Sequence, residues 1–72
     1  MNTFSYKDFA RNEIKLALGI LKRQPDNLLQ QDRLCFWYMK LDEWDKAKQH
    51  AVSPKMKVIF EQNEREYLNK LS

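Results

Sequence analysis

Few side chains in this sequence are of the types that carry out nucleophilic or acid–base chemistry. The 72 residues include one cysteine, Cys35, and one histidine, His50. A Cys–His nucleophile pair also needs a third group that orients the histidine, and a preorganised site for the developing oxyanion. Neither a nucleophile elbow nor a glycine-rich phosphate loop accompanies this pair. We therefore expect a protein that is not an enzyme, uses no cofactor and has no small-molecule substrate.

Metal binding is similarly weakly supported by the residue types. Asp42, Glu43 and Asp45 form an acidic cluster, but their spacing is not that of a calcium loop. The sequence also lacks the histidine and cysteine pairs that hold zinc. Acids favour the positive end of a helix. We therefore expect a helix to start here and no metal site.

Cys35 lies in the longest apolar run, Leu34–Met39, where a cysteine usually behaves as a small buried hydrophobic residue. The alternatives are an intermolecular disulfide and a reactive thiol. A free thiol fits a reducing compartment, and the amino terminus lacks the pattern of a signal peptide. The run is also far shorter than the roughly 20 residues that span a bilayer. We therefore expect a cytoplasmic protein without a membrane partner.

Basic side chains are concentrated between Asp45 and Glu61, a segment that contains no acid. This group, which we call the basic corner, consists of Lys46, Lys48, Lys55 and Lys57. Clustered lysines contact phosphates without reading base sequence, and their affinity falls steeply with salt. A net charge of +3 permits such binding without requiring it. The basic corner therefore supports an alternative function, a nucleic-acid-binding regulator, while its other interpretation is a solvated surface.

The aromatic side chains Phe36, Trp37 and Tyr38 are consecutive, so on a helix they point in three directions about 100° apart. A small bundle has room to bury about two of them. An exposed aromatic patch usually marks an interface, since such residues dominate binding hot spots. We therefore predict a protein-binding surface at Phe36, Trp37 and Met39. The alternative is that all three aromatics are buried between the first and last helices.

All of the segments that carry these residues are predicted to be helical. Hydrophobic residues make up 43% of the chain and charged residues 32%, which is a globular balance, and one glycine with two prolines argues against an all-β fold. Apolar spacing predicts four helices, over Tyr6–Arg23, Leu28–Leu41, Glu43–Val52 and Pro54–Leu71. The expected fold is all-α, a small bundle of three to four helices with short loops in a single domain over residues 1–72.

The ends of these helices follow from capping residues. Ser5 is the expected N-cap of the first helix, Asp26 or Asn27 that of the second, and Ser53 that of the last. The break at Asp42 is either a turn or a kink in one long helix. Gly19 is costly inside a helix, and the expected reason is the close approach of a neighbouring helix. The predicted core consists of Phe9, Ala17, Leu21, Leu34, Tyr38, Trp44, Ala47, Ile59, Phe60 and Leu71.

Residues 25–51 resemble a single tetratricopeptide-type helical hairpin. Pro25-Asp26-Asn27 precedes the first helix, Leu34 and Tyr38 lie along it, and Trp44 and Ala47 follow a tight turn. The segment departs from the family where Cys35 replaces a small glycine or alanine and where Asp42 replaces the glycine of the turn. Pro54 also interrupts the second helix. The resemblance covers about a third of the chain.

The resemblance implies a protein-interaction module. A lone repeat cannot bury its own core, so the flanking helices or a second copy of the chain would have to cover it. Together with the aromatic run, it predicts a small non-enzymatic adaptor, or an inhibitor or other regulator of a larger protein. The expected partner is a larger protein or a second copy of this chain, with nucleic acid as the alternative through the basic corner.

Overall fold

The computed structural model describes residues 5–72, which form four α-helices. They are α1 (Tyr6–Arg23), α2 (Leu28–Lys40), α3 (Trp44–Gln49) and α4 (Pro54–Leu71). No strand occurs within this part of the chain. The prediction of an all-α bundle with short loops is therefore confirmed. The third helix is shorter than predicted, because Glu43 and His50 are its caps and Ala51 and Val52 follow it.

Side chains next to the helices determine where three of them begin. The Ser5 hydroxyl and the Asn27 side-chain oxygen each accept a backbone N–H from the first turn of α1 and α2, respectively. Ser53 does the same for α4, and Pro54 follows at the first helical position, where a missing N–H costs nothing. These local signals explain why the predicted starts of α1, α2 and α4 are correct.

The chain turns at Asp42 and does not continue as one kinked helix. Asp42 has a φ of 59°, in the left-handed region that residues with a side chain rarely adopt. Its amide donates to the Met39 carbonyl at 3.0 Å, and the Glu43 amide donates to the Tyr38 carbonyl at 2.9 Å. These two hydrogen bonds form a Schellman motif, which ends α2 and allows α3 to pack back against it.

The core is centred on α2, where Leu34 and Cys35 are fully buried. Helix α1 packs against one side of α2, whereas α3 and α4 pack against the others. The buried cluster consists of Ile14, Ala17, Leu34, Cys35, Tyr38, Met39, Ala47, Met56 and Phe60. Leu21, Trp44 and Ile59 pack against this cluster while remaining partly exposed, so most of the predicted core is confirmed.

Three expectations about packing are wrong. Phe9 is 41% exposed and Leu71 is 67% exposed, because α1 and α4 do not pack against each other. The buried residues of α4, Met56 and Phe60, lie in its first half, so the last turns have no helix to cover them. Gly19 has open space where a Cβ would stand, and no neighbouring helix approaches it closely.

The helices are arranged as a slab, with principal extents of 40 × 37 × 16 Å. The short dimension corresponds to the α1–α2 hairpin with α3 packed on one of its sides. Within residues 5–72, none of the helices combines the length and apolar character needed to cross a membrane.

Candidate interaction surface

One side of the α1–α2 hairpin is covered by α3. The His50 ring, at the end of α3, stacks on Tyr38 of α2 with 5.7 Å between ring centroids. Arg11 of α1 forms an ion pair with Glu43, the N-cap residue of α3. Both contacts place α3 across the side of the hairpin that carries Tyr38.

The opposite side of the hairpin remains exposed. Phe36 precedes Tyr38 by two positions, so it points about 200° away around α2. We define the open face of the hairpin by four exposed apolar residues, Phe9 and Leu16 of α1 and Leu29 and Phe36 of α2. Leu16 and Leu29 are 57% and 58% exposed, and no helix of residues 5–72 packs over this side.

Trp37 organises the aromatic end of the open face. Its ring lies 5.0 Å from that of Phe36, 5.5 Å from that of Phe9 and 6.1 Å from that of Tyr6. The rings meet edge to face or tilted, which are the favoured arrangements of aromatic pairs. The Lys40 ammonium lies 5.3 Å from the Phe36 ring centre, a cation–π distance. Trp37 therefore fixes the exposed rings of α1 and α2 in one cluster.

The structure separates the three residues predicted to bind a protein. Phe36 is exposed, Trp37 is half-buried, and Met39 is buried in the core cluster. Met39 is thus not an exposed surface residue, because it packs where α2 meets α4. The alternative that all three consecutive aromatics are buried is also wrong, since Tyr38 is buried whereas Phe36 is 41% exposed. Sequence reasoning missed Leu16 and Leu29, whose spacing from Phe9 and Phe36 was the available signal.

A groove of about 330 Å³ lies between α4 and the end of α2, next to the open face. Phe36 and Met39 line it from α2, and the rings of Trp44 and Tyr67 lie 4.9 Å apart at its other side. The indole N–H of Trp44 is buried without a hydrogen-bond partner among the described residues. Lys40, Glu66 and Lys70 also line the groove, so it continues the surface from Phe36 toward α4 with mixed polar and apolar character.

The basic corner is less positive in the structure than in the sequence. Lys46 forms an ion pair with Glu43 at 3.1 Å. Lys48 and Lys57 line one groove together with Glu61 and Glu64. The interval between Lys57 and Glu61 is one helical turn, so this spacing predicts that acids share the face with the lysines. The fold thus places negative charge beside three of the four lysines.

Cys35 and His50 occupy structural positions. Cys35 is fully buried, and burial raises the pKa of its thiol to about 11, with a smaller contribution from the charge of Asp32. The prediction that it is a small buried hydrophobic residue is confirmed. His50 Nδ1 lies 2.7 Å from the Gln31 side-chain oxygen, and burial lowers the pKa of the imidazole. Each side chain is therefore held by the packing around α2.

The acidic cluster near the turn serves the packing of α3. Glu43 pairs with Arg11 and Lys46, and the hydrogen bond from Arg11 is the main cause that lowers the pKa of its carboxyl group. Asp45 lies in the first turn of α3, where an acid favours the helix. Among residues 5–72, no three histidine, cysteine or acidic side chains come together as ligands for a metal.

Comparison with known proteins gave no match, whether with a family model, a curated protein or a solved structure. Residues 28–49 form a helical hairpin closed by the turn at Asp42. Membership of this segment in the tetratricopeptide family stays a prediction.

Proposed function

We propose that this protein is a small, non-enzymatic protein–protein interaction module that binds its partner through the open face. The observation that supports this most directly is the exposure of Leu16, Leu29 and Phe36 on the same side of two neighbouring helices. Extended apolar patches are uncommon on soluble monomers and usually mark an interaction site. In this proposal the protein acts in the cytoplasm as an adaptor or as an inhibitor of its partner.

The arrangement of the aromatic rings also favours binding. Trp37 holds Phe9 and Phe36 in edge-on contact before any partner arrives. Large side chains that are already ordered lose less conformational entropy on binding than free ones do. Aromatic residues are also enriched among those that dominate interface energies. Phe36 is therefore the anchor that we assign to the interface.

The charges of the structure favour protein binding over nucleic-acid binding. Lys46 is paired with Glu43, and Glu61 and Glu64 lie in the groove beside Lys48 and Lys57. Carboxylates at these positions repel phosphates and reduce the local positive potential. The open face, in contrast, carries one acid and one base, Glu13 and Arg33, between its apolar side chains, so these two charges balance.

The proposal is tested by capture from native lysate, using the tagged chain after nuclease treatment. Phe36→Ser is compared with Val58→Ser, a matched control because Val58 is 54% exposed on α4 and lies outside the open face. We expect Phe36→Ser to reduce recovery of the bound protein about tenfold or more, because it removes an aromatic anchor. If the recovered partner is an untagged copy of the same chain, that also counts as capture.

Val58→Ser should leave recovery unchanged, and circular dichroism should show native helix content for both variants. Equal recovery with Phe36→Ser and the native chain would contradict the proposal. Loss of all capture after nuclease treatment, together with loss in Lys48→Glu, would instead assign binding to the basic corner.

A further inference from the structure

The surface area of the chain is large for its mass. The accessible surface is 5691 Å², about 900 Å² more than folded monomers of 8.8 kDa expose on average. A standard protein–protein interface buries about 800 Å² on each partner. Within residues 5–72, α3 covers one side of the α1–α2 hairpin and no helix covers the open face. The excess is similar in size to one side of an interface, and the exposed last turns of α4, with Leu68 and Leu71, contribute part of it.

The apolar residues of the open face repeat at heptad spacing on both helices. Phe9 and Leu16 lie one heptad apart on α1, and Leu29 and Phe36 lie one heptad apart on α2. A bundle seam has apolar residues at this interval and at a second position three or four residues further on, and on both helices of the open face the second position between the two apolar residues is polar. Glu13 lies four positions after Phe9, and Arg33 lies four positions after Leu29. Each helix therefore carries one charged residue between its two apolar residues.

The two helices are antiparallel, and their side chains form matched levels. A short loop joins α1 to α2, and the ring contact between Phe9 and Trp37 fixes their register. Residue numbers therefore increase along α1 in the direction in which they decrease along α2. Three pairs are level across the hairpin, namely Phe9 with Phe36, Glu13 with Arg33, and Leu16 with Leu29.

We infer that a second copy of this chain covers the open face, so that two α1–α2 hairpins form an antiparallel four-helix bundle. A twofold axis parallel to the helices places α1 of one copy on α2 of the other. Because this rotation does not shift residues along the axis, side chains that are level within one hairpin are also level between the two copies. Apolar residues then meet apolar residues, and Glu13 faces the partner's Arg33. This inference rests on the proposed function and names its partner.

Charge complementarity favours a copy of the chain as the occupant. Glu13 is partly exposed and Arg33 is exposed, and neither forms an ion pair with another residue of the range 5–72. The twofold arrangement gives each of them an opposite charge in both halves of the interface. A charged pair between apolar layers also specifies register and orientation, because any slip sets charge against apolar surface.

The test is sedimentation equilibrium of the full chain, with charge reversal at the two positions. The native chain should be a dimer at micromolar concentration. Glu13→Arg and Arg33→Glu should each weaken dimerisation about tenfold or more, because like charges then meet across the axis. The double variant Glu13→Arg/Arg33→Glu should restore it. Lys15→Glu is the matched control, since Lys15 is exposed and points about 200° away from Glu13 around α1.

Both positions are exposed or partly exposed, and glutamate and arginine are both good helix formers, so circular dichroism should confirm that every variant folds. A native chain that stays monomeric at all concentrations overturns the inference. The inference is also overturned if the single variants dimerise as well as the native chain. It is overturned as well if the double variant stays monomeric. If a monomeric chain still captures another protein through Phe36, the proposed function stands and only the self-association fails.

Discussion

Cys35 is the single thiol of the sequence, and its reactivity is set by the apolar residues around it. Burial raises the pKa of the thiol from 9.0 to about 11, so the thiolate is about a hundredfold rarer than in an unburied cysteine. We expect the folded protein to react with a thiol reagent such as Ellman's reagent at least about a hundredfold more slowly than the urea-unfolded chain. The measurement is the rate of thiol labelling with and without urea.

One equivalent of thiol should be labelled rapidly once the chain is unfolded, and this serves as the internal control. Rapid labelling without urea would contradict the prediction, because it would require Cys35 to be accessible in the native state. A slow native rate would also argue against a nucleophilic role for Cys35.

The consecutive aromatics show which part of the surface was predictable residue by residue. Helical geometry alone requires Phe36, Trp37 and Tyr38 to point in different directions. Which of them is buried depends on where α3 packs, since His50 covers Tyr38 and leaves Phe36 exposed. That choice is made by contacts between residues distant in sequence, so the aromatic run predicted an exposed ring without identifying it.

Among the helices, the turn at Asp42 is the element whose backbone disagrees most with its residue type. A side chain in the left-handed region costs free energy that glycine does not pay. We expect Asp42→Gly to raise the free energy of unfolding by about 0.5 to 1 kcal/mol, because glycine is the usual residue at this position of a Schellman motif. Urea unfolding followed by circular dichroism provides the measurement.

The matched control is Asp45→Gly, the same substitution three residues later. Asp45 lies inside α3 with helical backbone, where glycine should lower the free energy of unfolding by about 0.5 to 1 kcal/mol. Opposite signs for the two variants would show that the positive φ is responsible. Destabilisation by both variants would mean that the Asp42 side chain contributes more than its backbone conformation costs.

Helix starts and ends could be predicted because their signals are local. Ser5, Asn27 and Ser53 each satisfy backbone groups within three residues of themselves. The packing of helices is not local, and this explains why Phe9 and Leu71 were expected in the core. Apolar periodicity identifies the apolar face of a helix, but it does not show whether another helix of the same chain buries that face.

At the scale of the whole molecule, the core lies around one central helix. Helices α1 and α4 both use α2 and do not contact each other, so the slab has two broad sides and only one is covered by α3. Phe36 and Trp37 of the predicted binding surface lie on α2 at the edge of this uncovered side, and including Leu16 requires knowing that α1 lies beside α2.

Small cores make stability sensitive to single titrating groups, and two such groups act here in separate pH ranges. Burial lowers the pKa of His50 below its ordinary 6.5, so the unfolded chain binds a proton before the folded chain does. Stability therefore decreases as pH falls below 6.5. Glu43 acts lower, because Arg11 and Lys46 lower its carboxyl pKa below 4.5, and the stability that it contributes above pH 4.5 is lost as pH falls further.

His50→Gln separates these two effects. In urea unfolding at fixed protein concentration, the native chain should lose stability between about pH 7.5 and pH 5.5, and His50→Gln should lose less over this interval. Glutamine does not titrate, although the variant also loses the stacking of His50 on Tyr38 and is less stable at every pH. Below about pH 5 both proteins should lose stability in parallel, because Glu43 is present in each. An equal loss by both proteins in the upper interval would contradict the assignment to His50 and would mean that other groups link the folding of the slab to pH.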